Sequence, residues 1–167
     1  MGSKLNKANM EEQLRQDAIS YLRGKDRFEE VTGEDRQEIR AINRAQYFNF
    51  VELSGIAVLY VDEDPYTSIN EMKYEILSEG VLRIYNGDNN SRLLPGIHNL
   101  WQRAAHDIIH YWLGAPFTYE GELQVYEIQK LDYPSKYWPI LYSEICMQAA
   151  YCEYYGNFPD KQKIVIP

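Results

Sequence analysis

Residues 97–113 read IHNLWQRAAHDIIHYWL, and the fold turns on how this stretch is read. At about 100° per residue, Ile97, Leu100, Trp101, Ala104, Ala105, Ile108, Ile109, Trp112 and Leu113 cover well over half of a helix circumference. So wide an apolar arc predicts a helix covered by several neighbours. The strip left over is Asn99, Gln102, Arg103, His106 and His110. The chain's three histidines, His98, His106 and His110, all fall on this one segment.

Further helices follow from the same period. Met10, Leu14, Ala18 and Leu22 recur at helical spacing behind Asn9 and Glu12, and Gly24 ends the pattern. A second helix is expected from about Gly33 to Phe50, with Ile39, Ile42 and Ala45 inward. Ile56 to Val61 is β-rich and reads as a strand, and the acidic turn 62–65 follows it. Residues 68–79 carry a capping box, Ser68 with Glu71, and read best as a helix, although Met72, Tyr74 and Ile76 also alternate. Val81 to Tyr85 is a short strand closed by Asn86-Gly87-Asp88-Asn89-Asn90. Beyond residues 97–113, helices are expected over about 121–131 and 137–155. The expected fold class is α+β and mainly helical, several helices packing around a small antiparallel sheet. One domain over 1–167 is expected: a flexible arm (1–7), N-terminal helices (8–50), a small β-containing segment (51–95), a helical site region (96–156) and a tail (157–167). The tail's Ile164-Val165-Ile166 adds an edge strand or packs down.

Composition bounds the partners. The 167 residues, 45% hydrophobic and 25% charged, suffice for one core. A formal charge of −8 and no visible basic stripe argue against nucleic acid, whose affinity comes from clustered Lys and Arg. The longest apolar run, Gly55 to Val61, is too short to span a bilayer, and no signal-peptide segment is evident. A cytoplasmic protein is expected. Cys146 and Cys152 sit six apart on one expected helix, on different faces, so a mutual disulfide is not expected. Fifteen tyrosines suit a polar pocket, an oligomer contact or another interface equally.

The remaining strip on residues 97–113 carries the chemistry. His106 and His110 lie one turn apart on the same side, a common helical way to offer a divalent transition metal two nitrogens. The plainer reading is two solvated histidines. On the last long helix, Glu144 and Gln148 fall inside the apolar arc of Ile140, Leu141, Ile145, Tyr151, Cys152 and Tyr155. A carboxylate there needs a metal, a cation or a proton. Glu144 is therefore expected either as third ligand to Zn2+ or another divalent transition metal, or as a salt bridge to Arg103 or a carboxyl among tyrosines. Glu122 opens the helix after Phe117-x-x-x-Gly121, where it complements the helix dipole, serves as a fourth ligand or acts as a general base.

The order of these motifs resembles a poorly characterised family of bacteriophages and some bacteria. The resemblance runs over Pro65-Tyr66-x-Ser68, Met72, Gly80-Val81-Leu82, Asn99-x-Trp101-x-Arg103-Ala104-x-His106-Asp107, Phe117-x-x-x-Gly121-Glu122, Glu144-x-x-x-Gln148, Phe158-Pro159 and Gln162-Lys163. It covers roughly residues 65–163. Members of that family often place the second histidine one residue later, after a glycine. The resemblance implies a shared polar site and phage origin, in host cytoplasm or virion, and no agreed activity. A weaker similarity is to zincin metallopeptidases, with Asp107 in place of the general-base Glu of H-E-x-x-H. HD phosphohydrolases share only the His106-Asp107 doublet, and the paired Glu-x-x-His motifs of a di-iron bundle are missing.

Two functions from different classes are expected. One is a metal-dependent hydrolase of a small-molecule or peptide substrate. Its metal ligands are His106, His110 and Glu144; Asp107 or Glu122 is the base, and Arg103 steadies an anion. Tyr66, Ser68, Asn99 and Gln148 contact substrate. The other is a non-catalytic phage virion, assembly or host-interaction protein, with a phage or host protein as partner and oligomers allowed.

Overall fold

The computed structural model of the chain describes residues 2–88 and 91–166, with side chains from Asn6 onward. Helix α1 spans Gly2–Arg23, so residues 2–7, expected as a flexible arm, are helical. Helix α2 spans Gly33–Phe50 and starts where Thr32 accepts the Asp35 N–H (3.1 Å), satisfying a donor that the first turn leaves free. Ile39 is fully buried and Ile42 half-buried, whereas Ala45, expected inward, is exposed.

Strands β1 (Ala57–Val61) and β2 (Val81–Tyr85) form a two-stranded sheet, and helix α3 (Ile69–Glu79) joins them. The strands run parallel, pairing Ala57 with Val81 through Val61 with Tyr85. This corrects the antiparallel expectation, and the connection is the reason. An eleven-residue helix is about 16 Å long, the length of a five-residue strand, so the chain returns to the start of β1 before it re-enters the sheet. Of the expected turn 86–90, Asn89 and Asn90 lie outside the described residues.

Helix α4 (Ile97–Leu113) is wedged between two packed groups. Leu100, Ala104 and Ile108 meet the sheet and α3 through Leu82, Ile84, Met72 and Ile76. On its other side Ile109 meets Val125 of helix α5 (Tyr119–Gln129). Ala104, Ala105, Ile108 and Ile109 have no exposed surface, as the width of the apolar arc requires. Burying each isoleucine contributes about 1.5–3 kcal/mol.

The expected last helix, 137–155, is interrupted. A short helix α6 (Trp138–Tyr142) runs into a wide π-helical turn over Ser143–Met147, and α7 (Gln148–Tyr155) follows. The tail then packs down without forming a strand. Asp26 accepts the Ile164 N–H, Lys163 Nζ donates to the Leu22 and Gly24 carbonyls at the end of α1, and Ser143 Oγ accepts the Val165 N–H. Among the described residues no helix is long and apolar enough to cross a membrane.

Candidate metal centre

One turn of α4 and one turn of α5 meet at three ligand-type side chains. His106, His110 and Glu122 bring their donor atoms within 4.8 Å of one another, and they form the sole such group among the described residues. The two Nε2 atoms are 3.2 Å apart, His106 Nε2 lies 2.6 Å from Glu122 Oε2, and His110 Nε2 lies 3.2 Å from Glu122 Oε1. A tetrahedral zinc site with bonds of about 2.0–2.1 Å separates neighbouring donors by about 3.3 Å. The two 3.2 Å separations match that spacing, and the two-nitrogen, one-oxygen chemistry suits such an ion, whereas the 2.6 Å His106–Glu122 contact is a hydrogen bond that an ion would have to replace and widen.

Local structure fixes each donor. Gly114 ends α4 in the left-handed conformation (φ 64°) and turns the chain so that the Ala115 carbonyl faces back onto His110. His110 Nδ1–H donates to that carbonyl at 2.9 Å. A carbonyl only accepts, so the proton sits on Nδ1 and the Nε2 lone pair points at the cluster. His106 Nδ1–H donates to Gln129 Oε1 at 2.8 Å. Thr118 caps α5 by accepting the Gly121 N–H (3.2 Å), and the Pro116 carbonyl presses against Gly121 so closely that a Cβ would lie 1.8 Å from its oxygen. This contact sets the first turn of α5 under α4 and delivers Glu122.

Electrostatics follow from that geometry. Burial opposes a charge on His106, but the Glu122 carboxylate and the hydrogen bond to it outweigh burial and raise the imidazole's proton affinity. Glu122 is held well below the usual carboxylate range by the same partner, again against burial. His110 is fully enclosed, with Phe117 edge-on at 5.0 Å, while the side chains of His106 and Glu122 are 14% and 18% exposed. Solvent thus touches His106 and Glu122 but not His110. Asp107 stands next to it without a hydrogen bond among the described residues. Burial, opposed by both histidines and reinforced by Glu122 and Asp64, pushes its carboxyl up to about 6.

Of the residues expected at the site, the structure brings His106, His110 and Glu122 together, sets Asp107 beside His106 in the chain but outside that group, and leaves the others elsewhere. Glu144 is not at the histidines; it lies half-buried near Tyr21, Asp26 and Arg92, where burial and the charge of Asp26 raise it to about 7. Cys146, two residues on and so on the opposite side of the winding, is the one that faces α5, 3.9 Å from the Glu122 carbonyl. Glu122, expected as base, capping charge or fourth ligand, takes the place proposed for Glu144. Arg103, one turn from His106 toward β2, donates to the carbonyls of Tyr85, Gly87 and Asp88 (2.7, 2.7 and 3.0 Å) and makes no salt bridge to Glu144. Tyr66 is buried and its hydroxyl accepts the Arg83 N–H; Ser68 caps α3 by accepting the Glu71 N–H. Asn99 is buried two turns before His106, Gln148 begins α7, and no hydrogen bond joins either to the cluster.

Two contributors escaped the sequence reading. The Ala115 carbonyl carries no side-chain signal. Gln129 does, since seven residues, two helical turns, separate it from Glu122 and put both on one face of α5. It is itself held, because Gln46 of α2 donates to its carbonyl (2.8 Å) and to Asp132 (2.9 Å). Comparisons with protein-family models, curated proteins and solved structures gave no match to this chain.

Proposed function

We propose that the protein is a metal-dependent hydrolase whose zinc-type ion is held by His106 Nε2, His110 Nε2 and Glu122. The observation that carries this reading is the outer hydrogen bonding. Both imidazoles have Nδ1–H committed to a neutral oxygen, Ala115 O or Gln129 Oε1, which turns both Nε2 atoms to one point, as metal-binding histidines are commonly oriented. Three protein ligands and a solvent-facing side suit a catalytic more than a closed structural site. An ion held by these three residues would supply Lewis acidity and acidify a bound water. Asp107, unpaired and raised by burial, takes the proton of an attacking water and returns it to the leaving group. A peptide or similar polar bond is the substrate class in keeping with this arrangement.

Metal analysis of protein prepared without a histidine tag tests the reading. One equivalent of zinc is expected, retained in Glu144→Gln and Asp107→Asn and lost in His106→Ala and Glu122→Gln with helix content intact. Asp107→Asn should also abolish turnover of quenched-fluorescence peptides. Folded protein that takes up no zinc refutes the site; zinc without any turnover refutes the enzyme and leaves a structural centre.

A further inference from the structure

The two edges of the small sheet are finished differently. The Ala57 N–H donates to the Gly80 carbonyl, and the Val61 carbonyl accepts the Asn86 N–H, both at 2.9 Å. With the register, these bonds turn the main-chain groups of Ala57, Leu59 and Val61 toward β2 and leave those of Val58 and Tyr60 pointing away from it. On the far edge of β2 the corresponding groups are taken up: the Tyr66 hydroxyl accepts the Arg83 N–H (2.9 Å), and Arg103 donates to the Tyr85 carbonyl (2.7 Å). Among the described residues nothing bonds the outward N–H and carbonyl groups of Val58 and Tyr60.

An edge strand is normally guarded by a lysine, a proline or a bulge, each of which discourages a further strand from joining it. Ala57-Val58-Leu59-Tyr60-Val61 contains none of these and pairs with β2 in unbroken register. Leu59 is 48% exposed, and Ala57, on the same face of the strand, is exposed as well. Parallel sheets are as a rule covered on both faces, and two strands alone make a marginal sheet. An open edge and an uncovered apolar face thus coincide on one strand.

We propose that β1 is a dimer seam, pairing antiparallel with β1 of a second copy of this chain about a two-fold axis at Leu59. In that register Val58 of each copy stands opposite Tyr60 of the other, so every outward N–H meets an outward carbonyl. The two leucines face each other at the axis, where side chains come closest, and Ala57 faces Val61. A β-branched residue opposite an aromatic one is a favourable cross-strand pair. Charge selects the direction. Asp62, Glu63 and Asp64 are exposed just beyond one end of the strand. Antiparallel pairing keeps the two acidic turns at opposite ends of a seam about 17 Å long, about two screening lengths at physiological salt; parallel pairing would stack them about 5 Å apart. The strand is apolar at every ladder position and balanced about Leu59, so it matches itself, whereas a foreign basic strand would find counter-charges at one end only. His106, His110 and Glu122 take no part.

Sedimentation equilibrium of the full chain tests the proposal. A dimer with Kd in the micromolar range is expected, as suits a small interface. Leu59→Lys sets like charges opposite each other at the axis and should raise Kd at least about tenfold, with the far-UV spectrum unchanged. Val58→Pro removes an outward donor without touching the bonds to β2 and should do the same. In a Cys152→Ser background, which leaves only the buried Cys146, Leu59→Cys should cross-link two copies on mild oxidation. Its Cα atoms would lie about 4.5 Å apart across the axis, within disulfide reach. Ala57→Cys, placed opposite Val61, should not cross-link. A monomer up to sub-millimolar concentration, a dimer unmoved by Leu59→Lys, or equal cross-linking at both positions overturns the proposal, and uptake of oligolysine by such a monomer would mark a basic peptide as the occupant instead.

Discussion

Replacing Gly121 with alanine should damage both the fold and the proposed metal centre. In an open helix this change is favourable by about 1 kcal/mol, because alanine is the better helix former. Here the added Cβ would lie 1.8 Å from the Pro116 oxygen and 2.8 Å from its carbon, and both are backbone atoms that cannot rotate away. The first turn of α5 and the 114–118 loop must separate by more than 1 Å, against the Thr118 cap and the Ala115 carbonyl bond to His110. Overpacking of this kind costs about 1–3 kcal/mol, and contact between two backbones sets it at the upper end, near 3 kcal/mol. With a urea dependence of about 2 kcal/mol per molar, the unfolding midpoint should fall by roughly 1.5 M. Because the same displacement pulls Glu122 and the Ala115 carbonyl from the histidines, zinc affinity should drop at least about tenfold. A midpoint equal to or above that of the parent protein, with zinc affinity retained, would refute the claim that this contact positions the site.

Three further outcomes are expected. Gln129→Leu leaves His106 Nδ1–H without its acceptor and should weaken zinc binding about 10–100-fold in a chelator competition, while Gln129→Glu should not. Asp26 is held at about 2: burial opposes its ionisation, but Arg92 and the Ile164 and Phe28 N–H groups outweigh it. Its folded value lies below the unfolded one, so its contribution, about 2 kcal/mol, is complete above pH 4 and disappears as pH falls toward 2. Urea melts across that window should show Asp26→Asn losing about that much less than the parent. Ser143→Ala removes a buried hydroxyl that accepts the Val165 N–H and donates to the Lys163 carbonyl, and calorimetry should find about 2 kcal/mol of destabilisation.

Much of this molecule is legible in residues alone where a period or a pair of neighbours carries the information. The apolar arc of residues 97–113 identified the most enclosed helix, and the four-residue spacing of His106 and His110 identified two of the three converging donors. Thr118 and Glu122 are readable as a helix start, although the choice of Glu122 over Glu144 as third donor is not. That choice depends on which side of the last helix meets α5, and it is Cys146, not Glu144, that does so, which the helical period alone does not reveal. The direction of β2 was recoverable, since a helix over 68–79 already implied a parallel return, and the antiparallel expectation ignored it.

The wide turn also decides which way the end of the chain faces. Ahead of it, Tyr142 is hydrogen-bonded to Asp17; within it, Cys146 meets the Glu122 carbonyl; beyond it, Tyr151 packs on Tyr21 of α1. A regular helix could not point all three at their partners, and the extra residue acts as a vernier that resets the azimuth between them. Excising Glu144 alone would let the turn close to regular winding with α7 left near its present azimuth, because the wide turn absorbs one residue. Regular winding of the unchanged residues would instead swing everything downstream by about 100° and misdirect the packing of α7 on α1 without altering a single one of its contact residues.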